Sequence, residues 1–420
     1  MTRAWQGSRS TESTGLLVKP LNCRTVLPLS FSEARSTVLR EIRSAGWKPA
    51  IETVSLLESF QRVLAEDIAA DRDLPPFHRS VRDGFAVRAA DLPGTFRIIG
   101  EVAAGAVFPG SVLPGEAVEI MTGAPMPEGA DCVVMVEHCM VSGDTVTTDR
   151  TLAAGTHIAP RACEATQGTL LLQAGTRIDY PAIALLASTG HPSVQVFRKP
   201  RIAILATGNE IVEVGETPLP HQIRNSNAQS LAAQVERAGG EPHILPVAPD
   251  TLPATRALIE QGLGCDLLIL SGGVSAGKYD VVEPALAALG AEFFFDRILI
   301  QPGQPLVFGR ARGKFFFGLP GNPASTMVTF ELFARAAVEL LSGAADAPLH
   351  LTLAKLTQPF RHRPGLTRFL PAHISCTEVT PVAWQGSGDV PSLCRANAYM
   401  VVDAEIAEYA AGDLIPVLPQ

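Results

Sequence analysis

The stretch LLILSGGVSAGKYD, residues 267–280, decides how this chain folds. It begins with four apolar residues, as expected of a strand buried on both faces, and continues into a run of small residues rich in glycine. In an open α/β sheet, ligands bind outside the carboxyl ends of the strands, where glycines let backbone N–H groups converge on an anion. We therefore predict a phosphate-binding loop here, with an ordinary tight turn as the alternative. The loop residues are Ser271, Gly272, Gly273, Ser275 and Gly277.

Repeated strand and helix patterns surround this loop. They predict strands at 201–206, 243–247 and 266–270 and helices at 225–238, 251–263 and 281–289. Repeated β-α units imply a parallel sheet with right-handed crossovers. A phenylalanine-rich hairpin at 293–317 and a long helix at 324–341 are predicted to follow.

The rest of the chain shows other patterns of capping and apolar residues. The capping boxes Ser30-x-x-Glu33 and Ser55-x-x-Glu58 predict helices over 34–42 and 60–68. Short apolar runs between glycine turns predict a β domain from about residue 96 to 148. Alternating residues after 345 predict a small β barrel or sandwich.

Composition excludes several classes of protein. A chain of 420 residues is longer than one hydrophobic core usually organises, so we expect several domains. The net charge of −8 gives no overall positive field, which argues against nucleic-acid binding. No apolar run is long enough for a membrane span or a secretory signal, so we expect a cytoplasmic protein. The seven cysteines form no C-x-x-C pair, which argues against a disulfide framework or a structural zinc site.

Three acidic residues follow strands of the predicted sheet. They are Glu210, Asp250 and Asp280. Carboxylates gathered at one sheet edge could bind Mg²⁺, which prefers oxygen ligands and suits a phosphate substrate. We assign the metal to Asp250 and Asp280. The alternative for each carboxylate is a helix cap.

A proline-rich turn precedes the long helix. It comprises Pro320, Gly321, Asn322 and Pro323, and its prolines fix the backbone that directs Asn322 and the helix N-terminus to the same edge. A purely rigid turn is the alternative. Upstream, Arg297 offers one cation and Gln301 and Gln304 offer neutral hydrogen-bonding groups. Asp83 and Thr122, in two further loops, are weaker candidates on the residues alone.

Several motifs taken together resemble one family. These are RVLAEDI (62–68), RSVRDGFAVR (79–88), EIMTGAP (119–125), ATGNEIV (206–212), NSNAQSL (225–231), SGGVSAGKYDVV (271–282), QPGQPLVFG (301–309) and GLPGNPASTMVTFELF (318–333). In this order they resemble the molybdopterin molybdotransferases, the MoeA family that includes the gephyrin E domain.

The resemblance implies an activity and a site. The family inserts molybdate into adenylylated molybdopterin and releases AMP with Mg²⁺. It also implies that residues 271–277 hold a phosphate, that Glu210, Asp250 and Asp280 are functional acids, and that Pro320 and Pro323 are the family's proline pair. Asp83 and Thr122 match residues that reach the site from the partner subunit of a homodimer. A molybdopterin adenylyltransferase is implied as the upstream partner.

The sequence departs from the family at three places. Ala165 replaces an acid, Gln301 and Gln304 stand where lysines are common, and the motif at 78–86 is altered. We therefore expect Arg297 to carry a large share of oxyanion binding, beside Gln301.

The expected architecture is multidomain, α/β plus β. It comprises a disordered tail (1–27), a discontinuous helical linker region (28–70 and 166–198), an inserted β domain (71–165), a parallel-sheet α/β pterin-binding domain (199–344) and a small C-terminal β barrel (345–420). Two other functions remain open: a degenerate pterin-binding or carrier paralogue, or a protein scaffold, in either case without insertion activity.

Overall fold

A computed structural model describes residues 27–273 and 281–420. Its first helix, α1 (Phe31–Ser44), starts at the predicted capping box. The Ser30 backbone N–H donates to Glu33 Oε2 at 2.9 Å, and the Glu33 N–H donates to Ser30 Oγ at 3.3 Å. The buried face of α1, formed by Ala34, Val38 and Ile42, packs into the core of the α/β region described below. The first capping-box prediction is confirmed.

The prediction of a second helix, over residues 60–68, is wrong. The Ser55 N–H does donate to Glu58 Oε2 at 3.2 Å, but this contact closes a turn after strand β1 (Ile51–Ser55). The next residues bond a distant segment, since the Leu64 N–H donates to Thr176 O at 2.9 Å. Tertiary pairing therefore overrides the local helix signal. The short strand β2 (Ile68–Ala69) follows.

Residues 79–159 form a β region. Its strands are β3 (Arg79–Ser80), β4 (Gly84–Val87), β5 (Gly94–Val102), β6 (Glu116–Ile120), β7 (Cys132–Met135), β8 (Met140–Ser142), β9 (Thr145–Thr148) and β10 (Ile158–Ala159). Six of them form one sheet in the order β7-β4-β6-β5-β9-β8, with an apolar cluster on each face. The β structure predicted for 96–148 is confirmed, and it begins earlier, at β3.

The chain then returns to its N-terminal part. Strand β11 (Leu170–Leu172) pairs antiparallel with β2, and β12 (Ser193–Phe197) pairs antiparallel with β1. Helix α2 (Tyr180–Ser188) lies between them, and Asp179 caps it by accepting from the Ala182 N–H at 2.9 Å. The segments on either side of the β region therefore meet and share a core.

The α/β region contains the start of the predicted glycine loop. Its elements are β13 (Arg201–Ala206), β14 (Ile211–Val212), β15 (Ile223–Arg224), α3 (Ser226–Arg237), β16 (Glu241–Ile244), α4 (Leu252–Gly262), β17 (Leu267–Ser271), α5 (Val282–Ala288), β18 (Glu292–Phe295), β19 (Ile300–Gln301), β20 (Val307–Ala311), β21 (Lys314–Leu319), α6 (Pro323–Thr329) and α7 (Arg335–Leu341). The main sheet has the order β16-β13-β17-β21-β20-β18.

Strands β16, β13, β17 and β21 are parallel, as predicted, and β20 runs antiparallel to both of its neighbours. The central strand β17 is buried on both faces. Leu267 and Ile269 belong to one apolar cluster, whereas Leu268 and Leu270 belong to the other. Helices cover both faces, so the ends of the strands are where the sheet can reach a ligand.

The long helix predicted at 324–341 is present as α6, a π-helical segment (Phe330–Ala334) and α7 in direct succession. The π segment places the buried carboxylate of Glu331 against helix α3. There, Arg237 Nη2 lies 2.7 Å from Glu331 Oε1, and Gln234 Nε2 donates to the same oxygen at 2.7 Å. Arg335 Nη1 lies 3.3 Å from the other oxygen.

The C-terminal region is a closed barrel. Its elements are β22 (Thr352–Leu356), β23 (Phe360–Arg361), β24 (Thr367–Ser375), β25 (Glu378–Pro381), α8 (Val390–Arg395), β26 (Ala398–Val402), β27 (Glu408–Tyr409) and β28 (Leu414–Pro419). The order β24-β25-β22-β28-β26 closes when β26 pairs with β24, so the predicted barrel is confirmed. Strand β19 adds to β24 and joins the barrel to the α/β region. Among the described helices, none has the length and apolar character to cross a membrane.

The buried Glu331 pairs predict a large stability effect. Replacing Glu331 by Gln keeps the side-chain size but removes the charge that Arg237 and Arg335 face. We expect a loss of about 3 kcal/mol, the lower end of the range for a broken buried ion pair, because Arg237 stays partly exposed to water. Urea unfolding followed by circular dichroism measures the change.

The matched control is Glu408→Gln, in an ion pair with Arg361 whose two side chains are 62% and 78% exposed. Its loss should cost less than about 1 kcal/mol. Equal unfolding midpoints for Glu331→Gln and the control would contradict the assignment.

Candidate functional site

A cavity of about 390 Å³ opens at the carboxyl ends of β13, β17 and β21. This is the sheet edge at which the sequence predicts a ligand. Residues from five segments line it: Thr207, Glu210 and Ile211; residues 223–227; residues 271–273; Pro305; and residues 320–323. The beginning of the glycine loop, Glu210 and the proline turn are therefore brought together as predicted.

The glycine loop begins at the last residue of β17. Gly272 has φ +89° and Gly273 has φ +64°, both in the left-handed region that favours glycine. A Cβ on Gly272 would also lie 3.0 Å from Thr207 O. Only glycine fits the backbone here. The remaining predicted loop residues, Ser275 and Gly277, and the acid Asp280 lie outside the described residues.

The side chain of Thr326 holds the proline turn in place through hydrogen bonds to its carbonyl groups. Its Oγ1 donates to Pro320 O at 2.6 Å and lies 3.0 Å from Asn322 O. Pro323 is the first residue of α6, a position where its missing N–H costs no helical bond. A Cβ on Gly321 would lie 3.5 Å from Gly272 Cα, so the turn packs directly on the glycine loop.

Asn227 ties these segments together. In the first turn of α3, its Nδ2 donates to Ser271 Oγ at 2.8 Å and to Gly321 O at 2.8 Å. Asn227 lies in the motif NSNAQSL, at 225–231, but is not among the site residues predicted from the sequence. The available signal was the polar run Asn225-Ser226-Asn227 at a helix start that follows a strand.

The acidic residues occupy different positions. Glu210 lines the cavity, and its Oε2 would lie 2.6 Å from a Cβ on Gly208, so the carboxylate folds over that glycine. Asp250 is not a lining residue. Its Oδ2 accepts from the Asn209 N–H at 3.1 Å, and its own N–H donates to Asn209 Oδ1 at 3.2 Å. Asp250 therefore fixes the turn that carries Glu210.

Arg297 and Gln301 do not line this cavity. Arg297 is exposed, and its backbone O accepts from the Leu29 N–H at 3.2 Å. Gln301 Oε1 accepts a hydrogen bond from Arg368 Nη1 of the barrel. Arg368 Nε in turn donates to His362 Nδ1 at 3.1 Å. The Gln301 side chain therefore contacts the barrel.

Asp83 and Thr122 meet on the surface of the β region. The Thr122 N–H and Oγ1 both donate to Asp83 Oδ1, at 2.6 and 2.7 Å. The backbone hydrogen bond, followed by that of the hydroxyl, lowers the pKa of the Asp83 carboxyl below its usual value. The two residues predicted from distant motifs thus form one exposed pair, in which the neutral Thr122 hydroxyl donates to the Asp83 carboxylate. Neither residue lines the cavity of its own chain.

Comparisons with known proteins first define a class. The α/β region matches the description "Probable molybdopterin binding domain" over residues 203–340. The flanking parts match "MoeA N-terminal region (domain I and II)" over 29–190 and "MoeA C-terminal region (domain IV)" over 353–420. The cavity therefore lies in a molybdopterin-binding type of domain.

Whole-chain relatives are consistent with this class. A molybdopterin molybdenumtransferase of Bacillus subtilis (strain 168) is 37% identical over 417 residues, covering 95% of each chain. One from Staphylococcus aureus (strain MRSA252) is 34% identical, covering 93% of this chain and 95% of its own. The solved structure of the molybdopterin biosynthesis moeA protein from Pyrococcus horikoshii OT3 has a TM-score of 0.80 at 28% identity, covering 94% of this chain and 100% of its own. The chain belongs to the MoeA family, as its motifs predicted.

The Asp83–Thr122 contact predicts a measurable pKa change. Thr122→Val removes the hydroxyl donor but keeps the backbone donor, so the pKa of Asp83 should rise and remain below its usual value. Because folding lowers this pKa, the contact stabilises the loop above the usual carboxyl pKa, and the stabilisation is lost as pH falls through the folded value. An NMR titration of the side-chain carboxyls measures both effects.

Asp73 provides the internal control, since its pKa is lowered by the Gln167 N–H and by Arg161. Its titration should not move in the Thr122→Val variant. An unchanged Asp83 titration would mean that the hydroxyl contact contributes nothing in solution.

Proposed function

We propose that the protein is a molybdopterin molybdenumtransferase that inserts molybdate into adenylylated molybdopterin and releases AMP. The observation that carries the proposal is the cavity at the carboxyl ends of β13, β17 and β21, in the region matching a molybdopterin-binding description. Relatives named molybdopterin molybdenumtransferase match almost the whole chain. The carrier and scaffold alternatives are not favoured by these matches.

The geometry supports catalysis by positioning and electrostatics. The backbone N–H of Gly273, and those in the first turn of α3, would bind phosphate oxygens, whereas the Gly272 N–H already donates to Leu319 O at 3.2 Å. Arg224 also belongs to the lining and supplies a fixed positive charge. Asn322 and the proline turn close the opposite wall. These groups would orient the phosphoanhydride of the substrate relative to its dithiolene sulfurs.

The described residues fit a Mg²⁺ ion that is shared with the substrate. No group of three or more His, Cys, Asp or Glu among them could form a protein-only metal site. Mg²⁺ bound with phosphates needs only one or two carboxylates, because it keeps several water ligands. Glu210, on the cavity wall, and Asp250, on the adjacent turn, are oxygen donors of the required kind. When bound, the ion would neutralise charge on the phosphate oxygens.

We further propose a cytoplasmic homodimer with composite sites. Asp83 and Thr122 form an exposed, hydrogen-bonded pair that does not line the cavity of its own chain. In the dimer this pair would complete the cavity of the partner subunit. A molybdopterin adenylyltransferase would supply the adenylylated substrate, and the exposed Arg297 would attract the molybdate anion.

AMP release tests the activity directly. Purified protein supplied with adenylylated molybdopterin, Mg²⁺ and molybdate should release AMP and reconstitute a cofactor-free molybdoenzyme. Glu210→Gln should lower the rate by about 100-fold, the scale expected when one electrostatic contact to the transition state is lost. Glu213→Gln, three residues further on, is the matched control and should keep the wild-type rate. No AMP release by the wild-type protein would refute the proposal.

A mixing experiment tests the composite site. Asp83→Ala and Glu210→Ala each damage every site of a homodimer, but a mixed dimer contains one site with both acids intact. Unfolding and refolding the two variants together should therefore restore activity. With random pairing, half of the dimers are mixed and each has one intact site, so recovery should approach about a quarter of the wild-type rate. Activity no higher than that of either parent would contradict a shared site.

A further inference from the structure

A second cavity, of about 560 Å³, opens between the last turn of α1 and the last turn of α7. The described linings of the two cavities share no residue, and no step of the proposed transferase reaction uses this second one. Its volume lies within the range of about 300–1,000 Å³ that is typical of small-molecule sites. The second cavity is therefore large enough for an organic ligand.

Tertiary contacts hold the walls of this second cavity. Trp47 Nε1 donates to Leu341 O at 2.9 Å, which ties the segment after α1 to the end of α7. Ile51 and Phe197, both lining residues, are paired across strands β1 and β12. A Cβ on Gly343 would overlap the Phe197 ring, so the chain after α7 packs directly on that ring. These contacts fix the shape of the cavity, which lowers the entropic cost of binding a ligand.

Most of the lining is apolar, and it includes two aromatic rings. The rings belong to Trp47 and Phe197, and aliphatic side chains are supplied by Ile42, Ile51 and Leu340. Aromatic rings make favourable offset or edge-to-face contacts with another ring, in addition to the area that they bury. The apolar part of a ligand is therefore best matched by an aromatic group.

The charged residues of the lining are both basic. Lys48 is exposed and forms no ion pair within the described part of the chain. Arg43 Nη2 lies 2.6 Å from Asp346 Oδ1, yet the Arg43 side chain stays 49% exposed. Among the described residues that line this cavity, none is acidic. The charges therefore favour an anionic group.

The helix end in the wall does not oppose this preference. A helix C-terminus usually favours cations, because its last carbonyl groups lack partners within the helix. In α7 the carbonyls of residues 338–341 all have donors: the backbone N–H groups of Ser342, Ala344 and Gly343, and the Trp47 indole. These four carbonyls are therefore already satisfied without a cationic ligand.

We propose that the second cavity binds a small aromatic carboxylate. The aromatic group packs against Trp47 and Phe197, and the carboxylate faces Lys48 and Arg43. Such a ligand joins α1, β1 and the segment after α7, so its binding stabilises the folded chain. The inference concerns a site apart from the substrate cavity, and it does not depend on the proposed transferase activity.

Calorimetry of the full chain with 1-naphthaleneacetate tests the class of ligand. Two matched compounds separate the contributions of charge and ring: 1-naphthylmethylammonium keeps the ring but is positively charged, and acetate keeps the carboxylate but has no ring. Each should bind at least about tenfold more weakly than 1-naphthaleneacetate, because one loses the charge attraction and the other loses the apolar area. The naphthaleneacetate should also raise the melting temperature of the protein.

Two substitutions test the location of the ligand. Lys48→Glu reverses the unpaired charge, and Ile51→Glu places an acid in the wall at a residue that is 54% exposed. Each should weaken the binding of 1-naphthaleneacetate by about fivefold or more, since an attractive exposed charge pair is lost or a repulsive one is added. The matched controls are Lys355→Glu and Leu57→Glu, at exposed residues that do not line this cavity. Both controls should bind the ligand as the wild-type protein does.

Four results would overturn the proposal. They are no binding of 1-naphthaleneacetate by the wild-type protein, equal binding of the naphthyl ammonium compound, equal binding by the cavity variants and their controls, and a subunit contact at the cavity. Sedimentation velocity detects the last of these. If Lys48→Glu or Ile51→Glu separates a dimer that both controls retain, a second copy of the chain covers the cavity instead of a small ligand.

Discussion

The side-chain amide of Asn227 joins three segments that lie far apart in the chain. It extends from the first turn of α3 and donates to Ser271 Oγ at the end of β17 and to Gly321 O in the proline turn. The bond to Ser271 is buried and the bond to Gly321 is partly buried, so losing the first would leave a polar atom buried without a partner. The shape of the cavity depends on this interaction, because it sets the distance between the helix, the glycine loop and the turn.

The same face of α3 is fixed a second time, two turns further along. Gln234 Nε2 donates to Met327 O at 3.1 Å and to Glu331 Oε1 at 2.7 Å, both in the long helix that starts at the proline turn. Helix α3 is therefore bonded to the proline turn beside the cavity and, further along, to the long helix itself. These hydrogen bonds hold the backbone N–H donors of the cavity in a fixed geometry. The protein therefore needs little reorganisation when a ligand binds.

The sequence was most informative where local pattern and tertiary structure agree. The apolar run of β17 and the glycines after it predicted both the buried strand and the edge where the cavity opens. Capping chemistry located α1 but failed at Ser55, because the pairing of Leu64 with Thr176 is invisible to a local motif. Asp83 and Thr122, 39 positions apart, could be related only through family resemblance, whereas the structure shows their hydrogen bonds. Asn227 was missed because its role depends on Gly321, which no spacing rule connects to it.

The antiparallel pair β1–β12 matches Ile51 with Phe197, on opposite sides of the whole β region. Pairing β1 with β12 in an unfolded chain would close a long loop. The entropic cost of loop closure increases with loop length. If the β region has already folded, its two ends are held by its own sheet and the loop is effectively short. The β region is thus expected to fold first and to act as a template for the segments around it. The folding rate of its six-stranded sheet would then limit the folding rate of the whole protein after synthesis.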